Sequence, residues 1–267
     1  MKIIFFAFLI SLSLASGFLH AQQTIPTRKG EFYISWGYNK DWFTRSNVRV
    51  NQPDLGNNYV FNNILGHDHP GWDDGIFNKA ISIPQYNYRI GFFFNKVKGL
   101  GVEINFDHTK FIFEDQVARL SGTFAGKSAD SSVNFNQANG FFYYLNNGAN
   151  FLLFNIVKRW EILHLKNEKL KLDFLGKAGI GPVIPHVENS FFGQKNDPHF
   201  QVGGWNIGVE AALRITAFRH LFLEYTNKFD YARYSGLRIY KGTARQAFGT
   251  YEMILNLGLT FPVGKKS

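Results

Sequence analysis

An alternation of apolar and polar residues with a period of two constrains this chain more than any other feature, and it recurs in eight segments. Sustained alternation predicts a β-strand with two different faces. A slip of one residue in the pairing register would exchange the two faces, so the pattern also fixes the register. The segments cover residues 31–39, 85–95, 101–109, 151–162, 169–185, 205–216, 221–229 and 251–261. The sequence therefore predicts an all-β protein.

The connections between these segments differ in length in a regular way. Short connections follow the second, fourth and sixth segments, at residues 96–100, 164–170 and 218–220, and long connections follow the others. Short turns at one end and long loops at the other are typical of outer-membrane barrels. We therefore predict an eight-stranded antiparallel transmembrane β-barrel with short periplasmic turns and long extracellular loops.

A soluble lipocalin-like barrel or sandwich is the alternative, and its apolar face would point inward. Two features oppose this alternative. The difference in loop length has no purpose in water, and the aromatic residues, 17% of the chain, are too bulky to fill one small barrel. With the apolar face toward lipid, the polar face lines the interior instead.

The polar face carries acids and bases in nearly equal number, which we predict to form a charge network in the lumen. A lipid-facing charge costs about 2–4 kcal/mol at mid-membrane, whereas side chains fill the interior of an eight-stranded barrel and can pair there. The predicted lumen residues are Arg89, Glu103, Asp107, Arg159, Glu161, Lys171, Asp173, Lys177, Glu210, Arg214, Glu224, Lys228 and Glu252. A proton or ion pathway is the alternative role for these charges.

The N-terminus has the features of a secretory signal peptide. Lys2 precedes an apolar run at residues 3–15, and Ala21 offers a small residue for cleavage. We predict a signal peptide at residues 1–21 and a barrel domain at residues 22–267; an uncleaved anchor is the alternative. The chain has no Cys, which excludes disulfides and thiolate metal sites. Its net charge of +9 suits basic loops near anionic lipid head groups, and no nucleic-acid partner is predicted.

These segments resemble the small eight-stranded outer-membrane barrels of Gram-negative bacteria. The last strand, YEMILNLGLTF at residues 251–261, looks like the C-terminal signal that barrel-assembly machinery reads, although PVGKKS follows it here. PQYNYRIGFFF (84–94), FDHTKF (106–111) and GHDHPGW (66–72) look like motifs of an uncharacterised barrel group. The resemblance implies localisation in the outer membrane. It also implies three partners: outer-membrane lipids, lipopolysaccharide and the assembly machinery.

The first long loop contains a cluster of imidazoles and carboxylates, namely His67, Asp68, His69 and Asp73. Such groups can bind zinc or similar ions. Their spacing matches no defined ligand motif, and the adjacent Pro and Gly indicate a turn. We therefore predict neither a metal nor another cofactor, and these four residues remain the candidates if a metal does bind.

His108 and Asp107 are the candidates for catalysis, because some barrels of this size modify lipids with a His and a partner acid or hydroxyl. The two residues are adjacent, so their side chains point to opposite faces, and Thr109 is the one hydroxyl nearby. We expect His108 to face the lipid interface. A histidine in the interfacial polar and aromatic belt is the simpler interpretation.

The predicted function is that of a non-catalytic barrel with a filled polar lumen. Its role would be envelope-structural, or surface binding through the long loops. Two alternatives remain open. One is an enzyme, an acyl hydrolase or acyltransferase, that modifies lipid or lipopolysaccharide at the outer leaflet. The other is a narrow pore.

Overall fold

The computed structural model describes residues 30–69, 85–96, 98–165 and 170–264, so the predicted signal peptide and Asp73 lie outside the described residues. Over these ranges the chain is almost entirely β-structure, and no helix among them is long and apolar enough to cross a membrane. The strands are β1 Gly30–Phe43, β2 Ser46–Gln52, β3 Asn57–Ile64, β4 Gly66–His67, β5 Tyr86–Asn95, β6 Leu100–Asp107, β7 Phe111–Phe113, β8 Gln116–Phe124, β9 Lys127–Phe135, β10 Phe142–Leu145, β11 Phe151–His164, β12 Leu170–Pro182, β13 Glu188–Phe191, β14 Gln194–Lys195, β15 Gly204–Ala217, β16 Leu221–Ile239 and β17 Gly242–Val263.

Eight of these strands form a closed antiparallel ring in the order β1, β5, β6, β11, β12, β15, β16 and β17. Strand β17 returns to pair with β1 from Gly30 opposite Val263 to Phe43 opposite Thr250. Each of the eight predicted segments overlaps one of the eight barrel strands. The predicted fold class is confirmed.

The alternation places apolar side chains on the outside of the ring and most charged side chains on the inside. On β11, Ile156 is 65% exposed while its neighbours Asn155 and Val157 are buried. On β17, Leu257 is 55% exposed while Asn256 is buried. An exterior of this kind is stable in lipid and would be unfavourable in water.

Large aromatic residues follow the apolar band at the end of the barrel opposite the short turns. They form what we call the outer aromatic belt: Trp42, Tyr88, Trp205, Phe229, Tyr231 and Tyr251. The Tyr251 ring centroid lies 5.0 Å from that of Phe229 and 5.5 Å from that of Trp42. Tyr and Trp favour the membrane–water interface, so this belt indicates where the barrel leaves the hydrocarbon layer.

The short connections and three of the four long connections occur where they were predicted, but the long ones are folded. The connections after β1, β6 and β12 contain the nine remaining strands. After the seventh barrel strand the sequence indicated a long loop at residues 230–250, and this expectation was wrong. Strand β16 instead continues to Ile239, and a two-residue turn at Tyr240 and Lys241 leads directly into β17. Alternation continues through this hairpin except at a register shift between Tyr234 and Leu237, and its outward residues become polar.

The strands outside the ring build a second folded layer, which we call the cap. It comprises β2–β4, β7–β10, β13, β14 and the outer ends of β16 and β17. Strands β2, β3, β8 and β9 extend the barrel sheet from β17, and the remaining five form a separate sheet. Between the two sheets lies a core of buried side chains rich in aromatic residues, which include Tyr59, Phe61, Phe111, Phe113, Phe135, Tyr143, Phe191 and Phe248.

The cap core continues into the outer end of the barrel. Phe151 on β11 and Tyr234 on β16 are fully buried members of the same core. The Tyr234 hydroxyl donates a hydrogen bond of 2.9 Å to the Ala149 carbonyl, which ties a barrel strand to the connection before β11. The cap and the outer end of the barrel therefore share one apolar core.

The lipid-facing exterior leads to a prediction for Leu257, which lies on the apolar face of β17. Leu257→Arg should lower the free energy of unfolding in lipid vesicles by about 2–4 kcal/mol, because the charge would lie in the hydrocarbon layer. Urea titration with tryptophan fluorescence measures the change. Ser128→Arg, on an exposed cap strand, is the matched control and should have little effect. Equal effects of the two substitutions would contradict the assigned orientation.

Candidate functional site

The middle of the lumen is built around Lys177 on β12. Its ammonium group lies 2.9 Å from Glu103 and 2.9 Å from Glu224. It also lies 3.5 Å from Glu210. Arg214 contacts Glu224 at 2.7 Å. All five side chains are almost completely buried and come from four different strands, so these ion pairs join the barrel wall across its interior.

Lys228 on β16 is the centre of a second group, nearer the cap. Its ammonium group lies 2.6 Å from Asp107, 2.9 Å from Glu252 and 3.6 Å from Asp230. The guanidinium of Arg89 lies 3.1 Å from Asp107 and 3.9 Å from Glu210, which links this group to the first. Buried charges are stable when they are paired, and the two groups form one connected network.

The charges near the short turns are arranged in smaller pairs. Arg159 on β11 pairs with Glu31 on β1, and two strands separate them around the ring. Lys171 lies 2.9 Å from Asp173 and 3.6 Å from Glu161. Glu161 is not enclosed in the lumen as expected: its side chain is 49% exposed. The pairing of β11 with β12 shifts register between Glu161 and residue 163, which turns this end of the strand outward.

Not all of the lumen is polar, although the alternation suggested that it would be. An apolar cluster lies among the ion pairs and consists of Tyr33, Phe93, Val157, Leu175, Ala212 and Phe222. The Arg214 guanidinium lies 4.0 Å from the Phe222 ring centroid and 4.3 Å from that of Tyr33. The Tyr33 hydroxyl donates a 2.7 Å hydrogen bond to Glu103. Rings stacked on a guanidinium can therefore fill the space between charged groups.

Two acidic residues of the network were absent from the predicted set. Asp230 follows Phe229, where the predicted seventh segment ended, and extending the alternation by one residue would have included it. Glu31 begins the first segment on its polar face, but no base in the alternating part of that segment indicates its partner. Its partner Arg159 is distant along the chain, so only the folded ring brings the two together.

Asp107 and His108, the candidates for catalysis, are not brought together. Asp107 points into the lumen toward Arg89 and Lys228. His108 is not at the lipid interface as expected, because it is 8% exposed and its ring stacks on Tyr86 at a centroid distance of 4.6 Å. His108 Nδ1 lies 2.8 Å from Asn150 Oδ1.

His108 lies just beyond the end of β6, and burial there lowers its pKa to about 4. The contact with Asn150 opposes this shift only in part, and nearby Lys110 adds to it. The imidazole is therefore neutral at physiological pH and weakly basic. Thr109 is also fully buried, and Asn39 donates a long hydrogen bond of 3.5 Å to its hydroxyl.

Three of the four candidate metal ligands, His67, Asp68 and His69, lie in the described residues and have other contacts. Asp68 accepts a 2.7 Å hydrogen bond from the Lys40 ammonium and one of 2.9 Å from the Asp41 backbone amide. His67 Nδ1 lies 2.7 Å from the Asp68 carbonyl oxygen, and the His69 amide donates to Gln85. In the ranges that the structure describes, no three His, Asp or Glu side chains converge as metal ligands.

The central ion pairs lead to a prediction for Lys177. Lys177→Met should lower the free energy of unfolding by about 3–5 kcal/mol, because it leaves buried carboxylates without their cation. Adding Glu103→Gln to that variant should restore part of the loss. Urea titration in vesicles measures both. Lys127→Met removes an exposed cation in the cap and should have little effect. A Lys177→Met variant as stable as the native chain would contradict this role.

Burial of His108 leads to a prediction about pH. Its unfolded pKa is about 6.5 and its folded pKa about 4, so folding favours the neutral form. Its contribution to stability is complete above about pH 6.5 and is lost as the pH falls toward 4. We expect a decrease of about 3 kcal/mol over that range. The decrease should be smaller by this amount in His108→Gln and unchanged in His164→Gln, which alters an exposed histidine. NMR titration of the imidazole provides a direct check, and a His108 pKa near 6.5 would contradict the prediction.

The closed ring, the apolar exterior and the ion-paired interior together define a class of protein. In lipid every backbone polar group must be paired, and a closed barrel achieves this with strands. The chain is a transmembrane β-barrel of the outer-membrane class, and its localisation is the outer membrane.

Solved structures that are similar to this chain are outer-membrane and cell-surface barrels of Gram-negative bacteria. Ail of Yersinia pestis is 18% identical, with 87% of this chain and 99% of that chain covered and a TM-score of 0.33. The protease OmpT of Escherichia coli is 10% identical, with coverage of 91% and 99% and a TM-score of 0.39. OprG of Pseudomonas aeruginosa is 11% identical, with coverage of 88% and 98% and a TM-score of 0.33. No protein-family model and no curated protein matches the chain. Identities and TM-scores this low transfer neither an activity nor a ligand.

Proposed function

We propose that this chain is a non-conducting, non-catalytic outer-membrane barrel whose folded cap has an envelope-structural or surface-binding role. The observation that carries the proposal is the continuous aromatic core of the cap. An open channel needs mobile or folded-back loops, whereas here Phe61, Phe111 and Phe135 are fully or almost fully buried between two sheets. A cap packed in this way presents a defined surface to the exterior of the cell.

The contents of the lumen support the absence of conduction. The interior of an eight-stranded barrel is just wide enough to be filled by side chains. Here the ion pairs around Lys177 and Lys228 and the apolar cluster at Tyr33 cross it at successive levels. We assign these residues the structural role of a plug that replaces a hydrophobic core.

The proposal includes the route by which the chain reaches the membrane. Residues 1–21 would direct export and be removed, and residues 22–267 would form the mature barrel. Barrel-assembly machinery would recognise the last strand, which in the structure is β17 and closes the ring against β1. Outer-membrane lipids and lipopolysaccharide would then surround the apolar exterior.

The alternative function, a lipid-modifying enzyme, has no supporting observation among the described residues. Asp107 is engaged in the lumen, and His108 is buried beside Asn150 with its pKa lowered by that burial to about 4. A general base for acyl transfer needs a pKa near the operating pH and access to its substrate, and His108 has neither.

The test is reconstitution of the mature chain in planar bilayers and in vesicles. We expect no single-channel steps, while an open porin of many strands conducts under the same conditions. We also expect labelled lipid A and phospholipid to keep their acyl chains, with or without calcium. Steps of defined conductance from the native chain would contradict the proposal that lumen side chains block conduction. Loss or transfer of an acyl chain would show that the protein is an enzyme. A heat-modifiable shift on SDS gels confirms that each sample is folded.

A further inference from the structure

Four arginines gather on the outer face of the sheet where the cap joins the barrel. Arg49, Arg233 and Arg245 line a depression of about 250 Å³, together with Asn47, Val60 and Gln246. A neighbouring depression of about 460 Å³ shares Asn47 and Ala247 with the first and adds Arg45. We call this feature the arginine depression.

The arrangement of these arginines is unfavourable without an anion. Arg49 on β2 stands directly opposite Arg245 on β17 in the antiparallel pairing, and like charges placed in this way are destabilising. No carboxylate is found among the described residues that line either depression. Arg49, Arg233 and Arg245 also have no ion pair with any other described residue. An anion bound between them would remove the repulsion.

The level of the depression relative to the membrane points to the source of the anion. On the exterior of β16, Phe229 and Tyr231 belong to the outer aromatic belt, and Arg233 is the next outward-facing residue. Two residues of a strand span about 7 Å. The head-group layer on each side of the hydrocarbon is about 5–8 Å thick. Arg233 therefore lies at the height of the head groups.

The chemistry of the depression suits a phosphate. A guanidinium can bind two phosphate oxygens at once in a fork geometry, and several guanidinium groups on two or more strands can bind separate oxygens. We propose that the arginine depression binds the phosphorylated head group of a glycolipid in the outer leaflet. This inference rests on the proposed function, in which the chain is a barrel in the outer membrane. It adds the class of ligand that one face of the cap binds.

The test is a binding titration of the folded full-length protein in detergent with bisphosphorylated lipid A, read by native mass spectrometry. The triple variant Arg49→Gln/Arg233→Gln/Arg245→Gln replaces the three arginines of the first depression and leaves Arg45 in place. It should weaken binding by about 100-fold, since each arginine near an anionic surface contributes about a fivefold factor. The control variant Lys195→Gln, Arg238→Gln, Lys241→Gln removes the same charge from exposed cap sites outside the depression and should bind as the native chain does. Rising salt should weaken native binding.

Two further ligands distinguish a lipid phosphate from a soluble phosphate. Fully dephosphorylated lipid A should bind the native chain and both variants equally and weakly. Inorganic pyrophosphate, which also carries two phosphate groups but no sugar or acyl chains, should bind the native chain much more weakly than lipid A. Equal affinity for pyrophosphate and lipid A would overturn the lipid source and assign the site to a soluble anion.

The proposal is wrong if the triple arginine variant binds lipid A with native affinity. If that variant fails the heat-modifiability check, the single variants Arg49→Gln and Arg233→Gln replace it, each with an expected loss of about fivefold. Neither result depends on the bilayer recordings, because a conducting barrel could still bind lipid through this face. Failure of this proposal and failure of the proposed function are therefore distinguishable.

Discussion

The closure of the barrel by β1 and β17 is the interaction on which the rest of the structure depends. Fourteen residues of β1 pair in register with β17, from Gly30 to Phe43. In lipid an open sheet edge would leave amide and carbonyl groups without partners, at several kcal/mol for each group. Closure removes that edge and divides every barrel strand into an outer and an inner face. The apolar band, the filled lumen and the position of the cap all follow from this division.

The lumen shows how a narrow barrel can do without an ordinary hydrophobic core. Burying single charges is expensive, and the two central cations, Lys177 and Lys228, each contact several carboxylates. The aromatic rings of Tyr33 and Phe222 occupy the remaining space and lie against the Arg214 guanidinium. The ion pairs join strands that are distant around the ring. These contacts connect opposite parts of the barrel wall across its interior.

The cap has the opposite organisation, with its apolar side chains inside and its polar side chains outside, because it stands in water. The reversal is visible along single strands. On β16 the outward residues change from Leu223 through Phe229 and Tyr231 to Arg233, while the inward residues change from Glu224 and Lys228 to Ala232 and Tyr234. The aromatic belt marks the level at which the surrounding medium changes. The arginine depression lies directly beyond that level.

The sequence by itself determined the eight barrel strands, the orientation of their faces and most of the lumen charges, because a period of two records which side of a strand is buried. It could not determine the pairing of Glu31 with Arg159 or the outward turn of Glu161, because these depend on register between strands. The burial of His108 and the opposition of Arg49 and Arg245 arise only when long loops fold onto the ring. Alternation specifies a face locally, whereas contacts between residues distant in sequence are decided by the closed tertiary structure.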